Sequence, residues 1–277
     1  MIAVMTSWLT TLMPFLEYPF MQRALLIALA IGFLCAVVGV FVTLRSMAFF
    51  SDAIAHSALA GIALGILFGI APVPAAVIFS LIVAMGITFL TYRTSLPSDT
   101  VIGVFFSGSM ALGVLLIGLQ EGYQADLLSY LFGDILAVGN LDVALALALA
   151  VVVPTVIFQR SRVLIKVAFS PDLAQVEGQQ PRVWDYILMT LLALTVAVSL
   201  KTVGIILVSA LIIIPAAAAR NVARDFRRLM VVAIAVGVIS AVLGLTGSYY
   251  LDTASGPTIV MVAVTFFVAS LLGRLHN

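Results

Sequence analysis

Charge is what this sequence has least of. Only 9% of its 277 residues are Asp, Glu, Lys or Arg, where a soluble domain carries roughly a quarter. Hydrophobic residues make up 64%, and the mean hydropathy is +1.27. So few charged side chains cannot cover so large a core, which excludes a soluble globular enzyme and a disordered chain. The single cysteine, Cys35, excludes an intrachain disulfide framework and reads as a small buried hydrophobe. A net charge of +1 excludes a polyelectrolyte partner, so no nucleic acid is expected. There is no G-x-x-x-x-G-K-[ST], and neither Lys166 nor Lys201 follows a glycine, so the chain does not hold ATP by that route. Without H-E-x-x-H, G-x-S-x-G or paired aspartates in two spans, an intramembrane hydrolase would lack its nucleophile and base. The first residues lack the basic start and small-residue cleavage site of a secretory signal, and are read as mature protein. What remains is an all-α, polytopic helical membrane protein, one transmembrane domain over residues 1–277.

Charge-free runs mark the spans, since about 20 apolar residues cross the hydrocarbon core. They fall at 24–44, two within 53–92 broken at Ala71-Pro72-Val73-Pro74, then 100–119, 143–159, 186–200, 203–219, 229–250 and 257–273. The expectation is therefore about eight or nine transmembrane helices, with one short pair bent or re-entrant. Segment 127–138 reads as a short partial helix, of the kind that lines a cavity. Placing Arg45, Arg93, Arg160 to Arg182, Arg220 to Arg228 and Arg274 in the cytoplasm puts 11 of 13 basic residues inside. That orientation sets the N-terminus outside and the C-terminus inside. It leaves Arg23, Lys201, Glu17, Glu121, Asp126 and Asp252 on the outer side, an acidic mouth.

Asp52 and His56 open the second span. At i and i+4 they share one helix face, and an ionisable pair in a span needs a partner, water or an ion. A carboxylate and an imidazole one turn apart are half of a transition-metal site, or else an Asp–His hydrogen bond that staples the helix start. Gly61, Gly65 and Gly69 repeat every four residues on the opposite face, where small residues let helices approach closely. The helix should thus pack by its glycines and turn Asp52 and His56 toward a path. If it ran unbroken from Arg45, the pair would lie roughly 10–17 Å beyond that residue. With His276 the only other histidine, one chain offers too few ligands, whereas two chains on a twofold axis offer two Asp and two His.

The loop 160–183 carries Ser170-Pro171-Asp172, with serine at the cap and proline at the first helical position. Leu173, Val176 and the closing Gly178 complete a one- to two-turn amphipathic piece. So short a helix is not stable alone and normally docks on something. Pro215 is expected to break or kink the span 203–219, with Ala216 to Ala219 allowing close packing and the arginines beyond it anchoring topology.

Taken in order, these landmarks resemble the membrane subunit of bacterial ABC importers for zinc, manganese and related metals. The resemblance runs over about residues 22–273. It is carried by Arg45-Ser-Met-Ala-Phe-Phe-Ser-Asp-Ala-Ile-Ala-His-Ser, Ser129-Tyr-Leu-Phe-Gly-Asp-Ile-Leu-Ala-Val138, Ser170-Pro-Asp-Leu-Ala, Lys201-Thr-Val-Gly with Ile-Ile-Ile-Pro-Ala-Ala-Ala-Ala, and Asp252-Thr-Ala-Ser-Gly-Pro257. Ser51 stands where the motif usually has glycine. The resemblance implies the permease fold of the vitamin B12 importer (type II) class. It implies a homodimer with two cytosolic ATPase subunits and a periplasmic or lipid-anchored metal-binding protein, in the bacterial inner membrane. Asp52 and His56 would face the translocation path, with Asp134 and Ser51 as further lining candidates. The helix of Ser170, Pro171, Asp172, Leu173, Ala174 and Val176 would couple to the ATPase. No cofactor would be permanently bound and the chain would not itself be an enzyme; ATP belongs to the partner. Zinc is the expected cargo, closest by the Tyr130-Leu-Phe-Gly-Asp134 stretch, with manganese or iron as alternatives. A gradient-driven secondary metal transporter using Asp52 and His56 as a relay is the competing class, and its transport would need no ATPase.

Overall fold

The computed structural model describes residues 18–119, 133, 135 and 138–275, and among these every regular element is an α-helix. The helices are α1 (Pro19–Leu44), α2 (Phe49–Leu67), α3 (Pro72–Arg93), α4 (Ser98–Gly118), α5 (Asn140–Gln159), α6 (Ser161–Phe169), α7 (Pro171–Val176), α8 (Pro181–Val222), α9 (Phe226–Leu251) and α10 (Ser255–Leu275). Eight of them are long and apolar enough to cross a membrane. Such helices satisfy their own backbone groups, as hydrocarbon demands. Local chemistry sets their starts: proline stands in the first turn of α1, α3, α7 and α8, where its missing N–H costs nothing. Asp225 caps α9 by accepting from the Arg228 N–H at 2.7 Å.

The 42-residue α8 is two spans in one. A straight helix of that length would run about 63 Å, yet both of its ends lie at the same end of the bundle. Asp185 forms an ion pair with Arg45, just past the end of α1. Val222 is followed within four residues by Phe226, whose ring packs 5.8 Å from that of Phe41. Between these points Lys201 reaches the opposite end of the bundle, where it pairs with Asp142 at the start of α5. The chain reverses at Gly204, whose φ of 79° and ψ of 166° interrupt the helix. Only a residue without Cβ accepts that conformation cheaply. The two short runs 186–200 and 203–219 are therefore the bent pair. The break expected at Pro215 is absent, since helical geometry continues through it to Val222.

Returning from Gly204, α8 lies directly on α1. A Cβ added to Gly39 would sit 1.9 Å from the carbonyl oxygen of Ile212, so the two backbones touch. The pairs described above give the bundle two distinguishable ends: one carries Arg45, Arg93, Arg160, Arg182 and Arg228, the other Arg23, Asp142 and Lys201.

Candidate functional site

Helix α2 shows why the metal-ligating residue types point where they do. Its glycine face is closed: a Cβ on Gly61 would lie 2.8 Å from the Cα of Ala76, and one on Gly65 2.8 Å from the Cβ of Ala75. Gly69, with φ of +67°, lies just past the end of the helix. With that face sealed on α3, Phe49, Asp52, His56, Leu59 and Ile66 form a partly exposed stripe at heptad-like spacing, joined near the end of the helix by Leu64 and Leu67. Asp52 and His56 thus sit together on the open face, and they share no hydrogen bond with each other. The stapling alternative has no counterpart in the geometry.

Neighbours hold this face in place. The Ser57 hydroxyl donates to the Ala53 carbonyl at 2.6 Å and lies 2.8 Å from the Ser109 hydroxyl on α4, a buried polar clasp. The Phe106 ring of α4 meets the His56 imidazole edge-on, with centroids 4.9 Å apart and planes at 86°. That contact packs one side of the imidazole while leaving the residue partly exposed. Among the described residues no three His, Cys, Asp or Glu side chains come together. One chain therefore presents one carboxylate and one imidazole, two ligands where a transition metal takes about four.

Two expectations need correction here. Helix α1 ends at Leu44 and α2 begins at Phe49, with Ser46 in the left-handed region at φ 55° between them. No unbroken helix connects Arg45 to the pair; Asp52 and His56 lie only about 5 and 10 Å along α2 from its first residue. Ser51 does not join the open face either. It is fully buried, and its hydroxyl donates to the Ala48 carbonyl at 3.0 Å, closing the first turn. Asp134, the segment 127–138 apart from Gly133, Ile135 and Val138, and the mouth residues Glu17, Glu121 and Asp126 lie outside the described residues, as does His276.

At the basic end the loop 160–183 holds more structure than its sequence suggested: α6 precedes the short α7. The Ser170 hydroxyl accepts from the Leu173 N–H at 3.4 Å, and Pro171 and Asp172 fill the first turn. Ala174 is buried against the body of the protein, while Leu173 is 58% and Val176 85% exposed. Phe169, also exposed, ends α6 beside them. Three bare apolar side chains on a six-residue helix and its approach form a surface that water does not favour. The Lys166–Glu177 pair bridges α6 and α7, but both groups are half in solvent and it contributes little. Between α7 and the start of α8 opens a cleft of about 660 Å³, whose lining includes Tyr92, Asp172, Gln175 and Arg182.

Two charge pairs escaped the sequence reading. At the far end, Lys201 contacts both carboxylate oxygens of Asp142 at 2.9 and 3.0 Å, and Asp142 also accepts the Gly139 N–H. At the basic end, Asp185 is buried between Arg45 and the Tyr92 hydroxyl. The only sequence signal for either was an isolated ionisable residue inside or beside an apolar run.

With this geometry in place, comparison with known proteins places the chain. Residues 17–274 match the ABC 3 transport family. The high-affinity zinc uptake system membrane protein ZnuB of Haemophilus influenzae is 39% identical over 252 residues, 91% of this chain and 96% of that protein. The manganese import system permease protein ScaB of Streptococcus parasanguinis is 38% identical, over 92% of this chain and 90% of that one. A solved structure of PsaBC from Streptococcus pneumoniae in complex with Fab superposes with a TM-score of 0.81 at 33% identity, covering 98% of this chain and 95% of that chain.

Proposed function

The chain belongs to the ABC 3 transport family, and from that premise we propose that it is the permease subunit of an ATP-driven importer of divalent metal ions, with zinc as its cargo. The reading rests on one observation above the others: Asp52 and His56 share the open face of a span whose other face is sealed by glycines. One imidazole and one carboxylate per chain suit a borderline metal. Two chains on a twofold axis would supply the four ligands that zinc prefers. Manganese and iron are the alternative cargoes, since the same donor types serve them and relatives named for zinc and manganese are equally similar.

In this reading the basic end faces the cytoplasm of a bacterial inner membrane. Two ATPase subunits seat on α7 and its neighbours through Leu173 and Val176, and a metal-binding protein delivers ions at the Lys201 end. The chain contributes position and ligands; ATP is hydrolysed elsewhere. The test is uptake by vesicles containing the chain with its ATPase, with zinc and manganese in competition. ATP-dependent zinc uptake that disappears on Asp52→Ala or His56→Ala, with assembly unchanged, is the expected result. Uptake driven by an ion gradient without the ATPase would overturn it, and manganese outcompeting zinc would reassign the cargo.

A further inference from the structure

Arg45 occupies an unusual crossing point. It closes α1, and it lies four residues ahead of α2, the helix that carries Asp52 and His56. Its guanidinium is paired with Asp185 near the start of α8, both side chains about nine-tenths buried. A second nitrogen, Nη1, donates to the Val167 carbonyl at 3.0 Å, in the last turns of α6. The Tyr92 hydroxyl, from the end of α3, donates to the other Asp185 oxygen, and the Arg182 guanidinium lies 5.3 Å over the Tyr92 ring. Four elements, the end of α1 with α3, α6 and α8, thus meet on one buried ion pair.

The space around this cluster is lopsided. Toward α2, where Met47, Phe50, Thr88, Thr91, Tyr92 and Asp185 meet, the free volume is about 10 Å³, at the lower limit for one water. Toward α7, Tyr92 and Arg182 instead border the open cleft of about 660 Å³. Packed protein transmits displacement with little compression, whereas an open cleft has room for it. A shift of α7 or of the α8 start can therefore close the cleft, but past Tyr92 it must push on Met47 and Phe50. The turn that runs through Met47 into α2 already holds Ser46 at φ 55°, a conformation that persists only where its surroundings impose it. Separating Arg45 from Asp185 would leave a buried charge alone, so the cluster moves as a unit.

We propose that Arg45, Asp185 and Tyr92 are positioning residues that transmit movement of the docking end to the first turns of α2, setting where Asp52 and His56 stand. This inference rests on the permease reading above. It predicts that weakening the cluster separates ATP hydrolysis from ion movement without dismantling the complex.

The experiment uses the full complex with its ATPase in proteoliposomes, measuring imported zinc and released phosphate together. Tyr92→Phe removes one hydroxyl, Asp185→Asn one charge, and Arg45→Asp combined with Asp185→Arg restores the pair in reverse. Site coupling of ordinary size corresponds to roughly 5- to 150-fold, and phosphate released per imported ion should rise by about tenfold in each single variant. The reversed pair should recover part of that loss, and the ATPase should bind all three variants as it binds the wild type. A wild-type ratio in both single variants would overturn the inference. So would a lost ratio that always accompanies lost ATPase binding, since a merely structural role does that. If Asp185→Asn fails to assemble, Tyr92→Phe decides alone. A wild-type complex that imports no metal would instead refute the permease reading, and the relay with it.

Discussion

Replacing Gly39 by alanine tests the reversal of α8, the feature on which the whole arrangement turns. The added Cβ would stand 1.9 Å from the Ile212 oxygen and 2.8 Å from its carbonyl carbon, where ordinary contact begins at about 3.4 Å. Both obstructing atoms are backbone, so no rotamer change relieves the clash. The two helices must part by about 1.5 Å along a seam where α1 is buried over most of its length. Overpacking of a well-filled core costs ~1–3 kcal/mol, and a rigid backbone neighbour puts this substitution near the upper end. Gly103→Ala is the matched control: it sits in the body of α4 with nothing within 4 Å of the new Cβ. There alanine should be neutral or stabilise by about 0.5–1 kcal/mol through helix propensity. Thermal unfolding of the purified chain in detergent, followed by loss of the monodisperse peak, should fall by several degrees for Gly39→Ala and not for Gly103→Ala. Equal melting temperatures for the two variants would mean that residue 212 does not return to α1 and that α8 is not a hairpin.

Lys201→Met should cost about 2 kcal/mol, between the exposed and buried limits, because Asp142 is then left mostly buried without its cation; adding Asp142→Asn should recover part of that loss in the same melting assay. Leu173→Asp and Val176→Asp should leave the melting temperature within about a degree, since both side chains are exposed. The same two changes should abolish co-purification of the ATPase, and undiminished co-purification would move the docking surface elsewhere. His56→Ala should leave the melting temperature nearly unchanged, because it removes a half-exposed ring with one aromatic neighbour, while metal uptake is lost.

Span positions were legible because hydrocarbon imposes a single rule on long segments, and all the charge-free runs recur as helices. Eight helices correspond to nine sequence runs only because Gly204 bends one of them. Proline is the stronger helix-breaker in general, which makes Pro215 the expected break. Yet Pro215 is accommodated within the buried second half of α8, and the backbone turns at a glycine instead. The glycine face of α2 was legible from its four-residue repeat, and with it the direction of Asp52 and His56. Their distance from the helix start was not, since Ser46 gives no local sign that it will adopt a left-handed turn. Asp142 with Lys201 and Arg45 with Asp185 were hidden for a plainer reason. Partners 59 and 140 residues apart meet only after helices have packed, and no spacing rule reaches that far.

The placement of charge in the spans gives the site its logic. An ionisable side chain at membrane depth is costly unless partnered, and this chain partners such groups at each end. Arg23 donates to the Pro19 and Val138 carbonyls, Lys201 meets Asp142, and Asp185 sits between Arg45 and Tyr92. Asp52 and His56 depart from this pattern, lying on the partly exposed face of α2 with no ion pair among the described residues and the Phe106 ring beside His56. Beyond them the same open stripe carries Leu59 and Ile66, which offer no ligand over the remaining ~16 Å of the helix toward the Lys201 end. On the proposed direction of transport, an ion released at that end meets its first fixed donors on this helix only near the cytoplasmic side. On the proposed function, a site so close to the exit would need its first turns moved by very little to pass the ion on, and those turns adjoin Met47, Phe50 and the Arg45 cluster.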